Sequence, residues 1–253
     1  MLAGKNRHVA CSQQKRRVKV VVVAERELRG LAVAELTAEI QSLNCTVTST
    51  AWKISSRECA VDAAIAEALP SERLKRVTAS GDYVRAVLTD EIAVKIDSAE
   101  YIRNRLVLMN GEEVEHVCDG SRCLSPRREA GRPCGCSPSA FQRKALARSG
   151  VGPSPDVVVL FRLLSAPQVG PVLLRSTSWD LYFSVRDLLL NRKWESGPIE
   201  ACIKLQRELL RTRSGLEVFL VKQVIECGAV ASPENFHAVG GRGRWQGSHP
   251  SSG

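Results

Sequence analysis

Aromatic side chains are scarce in this chain, at 5 % of 253 residues, and histidines number only four. The first scarcity argues against the serial base-stacking platforms that grip single-stranded nucleic acid. The second leaves His8, His116, His237 and His249 too few and too scattered for a His-rich catalytic metal site or a Ser/His/Asp triad. A Walker A sequence is missing, and no glycine fingerprint follows a strand. The carboxylate pairs Asp90-Glu91 and Glu112-Glu113 read as turn charges. Long apolar runs are also lacking. The longest, Val20 to Ala24 and Val157 to Phe161, fall far short of a bilayer span. Lys15-Arg16-Arg17 leads into a short apolar run without a cleavage site, so a secretory leader is not expected and the setting is read as cytoplasmic.

Cysteine, by contrast, is plentiful, with nine residues. In a reducing compartment that number argues for free thiols or metal ligation rather than a disulfide framework. Four of the nine, Cys118, Cys123, Cys134 and Cys136, follow a C-x4-C-x10-C-x-C spacing. The segment between them is rich in Gly and Pro and has almost no apolar surface to bury. Four thiolates converging on one Zn²⁺ would hold it, with His116 as an alternative ligand. Loosely clustered buried thiols, or a redox pair at Cys134-Gly135-Cys136, are the competing readings.

The net charge is +9, and it is unevenly spread. Residues 82–116 hold eight acidic and four basic side chains, whereas residues 118–148 hold two acidic and seven basic. The seven are Arg122, Arg127, Arg128, Arg132, Arg143, Lys144 and Arg148. They are expected to form one solvent-exposed basic face suited to a binding partner.

The pattern of elements predicts an α+β fold with mixed or antiparallel sheets, helices and the Cys-rich loop. Residues 1–17 read as a disordered basic tail, and 18–117 as an N-terminal α/β region. Within it, Val18–Ala24 suggests a strand and Glu25–Leu43 a helix, from apolar residues near a helical period. Ser55-Ser56-Arg57-Glu58 offers a capping box for an Ala-rich helix. Strands near Tyr83–Leu88 and Ile92–Ile96 are separated by a turn at Asp90-Glu91. Residues 118–150 comprise the cysteine loop and a basic helix, capped by Ser137 with Pro138 at its first position. That helix start should favour the thiolates of Cys134 and Cys136. After the linker Val151-Gly152-Pro153-Ser154-Pro155, residues 156–228 read as a ββαββ unit, and 229–253 as a flexible tail.

The run Cys118-Asp119-Gly120 to Pro133-Cys134-Gly135-Cys136, the basic helix, Phe161-Arg162-Leu163 and Ser176-Thr177-Ser178-Trp179 together resemble one family. It is the recombination directionality factors that actinophages encode for their large serine integrases, and the resemblance spans roughly residues 46–228. It implies a non-enzymatic regulator that binds the integrase, including its coiled-coil region, promoting excision and inhibiting integration. The integrase supplies the nucleophile. Two other readings compete: a zinc-supported nucleic-acid-binding module, and a metal-dependent hydrolase with an open coordination position.

Overall fold

The computed structural model describes residues 25–41, 46–74, 81–191, 194, 197–212 and 214–227. Both expected tails, the Val18–Ala24 strand and three of the histidines (His8, His237, His249) lie outside the described residues. The fold is α+β. In chain order the main elements are α1 (Glu25–Leu31), β1 (Ala34–Gln41), β2 (Thr46–Ser56), α2 (Cys59–Ala68), β3 (Ser71–Arg73), β4 (Tyr83–Val87) and β5 (Glu91–Ile96). There follow β6 (Ile102–Asn110), β7 (Glu113–Cys118), β8 (Cys123–Ser125), α3 (Ala140–Arg148), β9 (Ser154–Leu163), β10 (Pro171–Ser176), α4 (Trp179–Asn191), β11 (Ile199–Arg211) and β12 (Glu217–Glu226).

All twelve strands belong to one sheet, whose main path runs β12-β11-β5-β9-β10-β1-β2-β4-β3. Among the described strands only β1 and β10 pair in parallel. The sheet branches at β9. Residues 162–163 bond β5, and residues 154–159 bond β6 on the same side, opening a second path β6-β7-β8. The N- and C-terminal regions expected from the linker therefore share one sheet, since strand pairing starts at Ser154, inside it. The ββαββ order of β9 to β12 is present, but β5 is inserted between β9 and β11.

Three residues, Leu88 to Asp90, join β4 to β5, although β9, β10, β1 and β2 separate them in the sheet. So short a link reaches about 10–14 Å, which requires the sheet to curl until these strands approach. Trp52, fully buried on β2, fixes the closure by donating its indole N–H to the Asp90 carbonyl at 3.3 Å. The core fills the curl with Leu36, Ile54, Ile92, Val94, Phe161 and Leu174. The continuous apolar run of β9 is explained by burial on both faces. Val157, Val159 and Phe161 face this core, while Val158 and Leu160 pack with Leu173 under Leu28 of α1.

The expected helix over Glu25–Leu43 is cut short. α1 ends at Leu31, and the chain then alternates as a strand with Ala34, Leu36 and Ala38 buried. Ala34 and Ala38 are strong helix formers, yet the vacant edge of β10 offers a parallel ladder and tertiary pairing wins. The capping box does not form either. Ser56 is the last residue of β2, and its hydroxyl accepts from the Glu58 N–H instead.

A buried carboxylate ties α2 to the sheet. Asp62 receives Arg85 Nε at 2.7 Å and Nη2 at 3.0 Å, and Arg73 Nη2 at 2.6 Å. The hydrogen bonds from Arg85 hold its pKa below the ordinary 3.8, against the opposing effect of burial. Its contribution to stability is therefore complete above pH 3.8 and is lost as pH falls through the lower folded value. Asp62→Asn should cost about 3 kcal/mol, the low end for a broken buried pair, because Arg73 can turn to solvent. Urea unfolding at pH 7 and pH 3 measures both the loss and its acid dependence.

Candidate metal centre and interaction surface

The β6-β7-β8 branch positions the cysteine loop. On β7, His116 and Cys118 are two residues apart and so share a face. Cys123 of β8 stands directly opposite Cys118, on that same face. The chain then returns along β8: Cys123 exchanges backbone bonds with Arg132 and Gly131, and the Cys134 N–H reaches the Ser121 carbonyl. This third pass carries Cys134 and Cys136 over the face. A Cys118–Cys136 sulfur distance of 3.7 Å and a His116 Nε2–Cys136 Sγ distance of 3.6 Å result.

His116, Cys118, Cys134 and Cys136 could hold a metal ion, for their ligand atoms all lie within 4.8 Å of one another. Bond lengths of about 2.3 Å to sulfur and about 2.0–2.1 Å to nitrogen give tetrahedral edges near 3.75 Å for S–S and 3.55 Å for S–N. The two close distances match those edges. The group brought within this distance contains His116, the expected alternative ligand, in place of Cys123, whose sulfur lies 3.8 Å from the His116 Nδ1. Sequence spacing could not decide this, because the antiparallel register brings both residues to one face.

Burial pushes the thiol pKa values of Cys118, Cys123 and Cys136 up; neighbouring sulfurs add to the rise at Cys118 and Cys123, while at Cys136 the hydrogen bond with Cys118 acts against it. The expected thiolate-favouring helix start is absent at Cys136. α3 begins at Ala140, with Ser139 as its cap through the Gln142 N–H. Only a cation among these sulfurs reverses the preference for the neutral form.

Arg143 departs furthest from expectation. It is 6 % exposed rather than solvent-facing. Its Nη1 donates to the Gly120 carbonyl at 3.2 Å, while its Nε has no hydrogen-bond partner among the described residues. Its positive charge lowers the pKa of Cys136. Three thiolates, one imidazole and a divalent ion would together carry one net negative charge, which this buried guanidinium would offset. Tyr182 of α4 completes the brace. Its hydroxyl donates to the Asp119 carbonyl at 2.7 Å, and burial pushes its pKa up to about 12. Trp179 packs as an anchor beside it, edge-on to Tyr182 at 5.9 Å.

Gly120 sits where these contacts meet, at φ +88, with space for no Cβ: one would lie 2.5 Å from Arg143 Nη1 and 2.7 Å from the Tyr182 hydroxyl. Gly120→Ala should destabilise the protein by about 2 kcal/mol or more, from backbone strain and displaced buried groups. Thermal unfolding would measure it. The same substitution at Gly131, also at positive φ but with nothing near its Cβ, should cost less.

The remaining basic residues divide. Arg122, Arg128, Arg132 and Arg148 are exposed, and the side chain of Arg127 lies outside the described residues. Lys144 is half-buried, 3.7 Å from Asp180 and over the Phe183 ring. The basic face therefore excludes Arg143 and is weakened at Lys144.

A second surface was not foreseen. β11 pairs with β5 only up to Lys204, and beyond that its described pairing is with β12 alone. The hairpin is pinned at its base by Arg207, which reaches Asp90 at 2.9 Å and the Thr50 carbonyl at 3.3 Å. Its far end is apolar on both faces. Leu209 opposes Phe219, and Leu210 opposes Val218. Leu209, Leu210, Leu216, Val218, Phe219 and Leu220 are between 37 % and 70 % exposed. The flanking charges neutralise one another within the hairpin, as Arg211–Glu217 and Glu208–Lys222. The signal for this surface lay in the uncharged run Val218-Phe219-Leu220-Val221, which breaks the polar alternation of a solvated strand.

No protein-family model matches the chain, and no solved structure matches it. Among the described residues no helix is long and apolar enough to cross a membrane.

Proposed function

We propose that this chain is a non-enzymatic regulator of site-specific recombination, which binds a large serine integrase and shifts it from integration towards excision. The observation that carries this reading is the apolar end of the β11–β12 hairpin, with six large side chains exposed together. Exposed apolar surface of that kind marks protein contact sites. A coiled coil presents an apolar seam with charged flanks. The hairpin would meet the seam, and Arg122, Arg128, Arg132 and Arg148 would steer the approach to acidic flanks. Regulation then requires only that the factor bind one integrase arrangement on DNA better than another. It operates, on this reading, in the cytoplasm of a bacterial host.

The metal in this account is a structural zinc ion held by His116, Cys118, Cys134 and Cys136. When bound it supplies cross-linking of the loop, and four protein ligands leave no open corner for a reactive water. The residues themselves fix the loop's path: the β7–β8 register sets two corners, and Arg143 and Tyr182 brace the turn between them.

A second reading, nucleic-acid binding, is favoured by the exposed arginines of the loop together with Phe141 of α3, which is 82 % exposed. Association of the purified chain with the serine integrase encoded nearest to its gene separates the two. The proposal expects a complex without DNA. Salt-dependent binding to unrelated DNA with no integrase complex would favour the second reading.

A further inference from the structure

We infer that Cys123, although one of the four clustered cysteines, is not a metal ligand but the residue that positions one, holding the His116 ring so that Nε2 faces the metal. The inference rests on the zinc reading above. Four donor atoms lie within 4.8 Å of one another, a fifth donor (the Cys123 sulfur) adjoins the imidazole, and the ring lies between two of the sulfurs. Its Nε2 is 3.6 Å from Cys136 Sγ, and its Nδ1 is 3.8 Å from Cys123 Sγ. One ring can present only one nitrogen to a given metal. With Nε2 turned to the ion, a neutral imidazole carries its proton on Nδ1 and donates it to the Cys123 sulfur.

The placement agrees with an outer Cys123: it is 4 % exposed on β8, and its sulfur adjoins Nδ1 while the Cys136 sulfur adjoins Nε2. Arg143 offsets the single negative charge of a three-thiolate, one-histidine centre; a fourth thiolate would add a second, with no further buried cation described beside it. Ligating histidines commonly donate their second N–H to a fixed acceptor, usually a carboxylate or a carbonyl. Here the cross-strand register of β7 and β8 supplies a sulfur instead. The apparent four-cysteine pattern thus hides a three-cysteine, one-histidine centre with a built-in support.

Cobalt(II) titration of the full chain, followed by zinc competition against a chromophoric chelator, tests this. Wild type should show tetrahedral cobalt bands with thiolate charge-transfer absorption for three sulfurs. Cys123→Ala should keep that absorption while zinc affinity falls about 10–100-fold. Cys123→Ser, whose hydroxyl can still accept from Nδ1–H, should recover much of the loss. In ¹⁵N-resolved spectra of the zinc form, the His116 Nδ1–H should be protected from water in wild type and exposed in the alanine variant. A loss of one sulfur's absorption in Cys123→Ala would make Cys123 a ligand and overturn the inference. So would unchanged affinity with unchanged Nδ1–H protection. Wild-type protein that binds neither cobalt nor zinc would instead remove the zinc reading, and this inference with it.

Discussion

Cys136→Ser is expected to abolish tight zinc binding and lower the thermal midpoint by about 10 °C in zinc-replete buffer. From residue 118 to 136 the only described side chains that are buried are Cys118 and Cys123. Hydrophobic burial therefore cannot offset the entropy of ordering these residues, and the ion must do so. Zinc at a thousand times its dissociation constant contributes about 4 kcal/mol, and each kcal/mol moves the midpoint by about 2–4 °C in a domain of this size. The damage should spread beyond the loop. Asp119 and Gly120 are the acceptors for Tyr182 and Arg143, so a released loop leaves both donors buried and unpaired. Adding a chelator to wild type should reproduce the variant's midpoint, and calorimetry with and without zinc makes the comparison. An unchanged midpoint in both cases would show that the loop folds without metal.

The second large effect is expected at the hairpin. Leu209→Thr with Phe219→Thr should weaken integrase association by about a hundredfold or more while leaving thermal stability nearly unchanged. The two side chains are directly opposite one another, 49 % and 70 % exposed, so the core does not depend on them. Threonine is itself β-branched and favours strands, which protects the hairpin itself. Central apolar anchors of an interface commonly contribute 2 kcal/mol or more each, and each 1.4 kcal/mol is tenfold in affinity. Arg148→Glu, by contrast, should change the salt dependence of association more than its strength, since steering acts at long range. Titration calorimetry, or any equilibrium binding method at two salt concentrations, distinguishes these outcomes. Undiminished binding by the double variant would move the contact elsewhere.

What could be read from residues and what could not have physical reasons. The apolar run Val157–Phe161 is legible as a strand, and Ser178 followed by Leu181, Val185 and Leu188 at helical spacing is legible as the start and inner face of α4. These signals are local. The single sheet was illegible, because β1 joins β10 and β6 joins β9 across more than forty residues of intervening chain. The same limit hid the fate of Arg143. On its own helix it looks like one more solvated charge, and only the packing of α4 and the cysteine loop around it makes it internal. The site was legible as a cluster but not as a coordination set. Whether Cys123 or His116 holds the fourth corner depends on strand register at the ångström scale. The hairpin surface was visible as composition, in Leu209-Leu210 and Val218 to Val221, but exposure depends on where β5 stops.

On the proposed function this chain biases an integrase, whose own serine performs the strand cleavage. A recombination assay with purified integrase, supplied separately with excision and integration substrates, tests it most directly. On addition of the zinc-loaded chain, excision should rise from near background while integration falls, and the Leu209→Thr, Phe219→Thr variant should do neither. Equal rates on both substrates with and without the chain, under conditions where the integrase alone is active, would contradict the account.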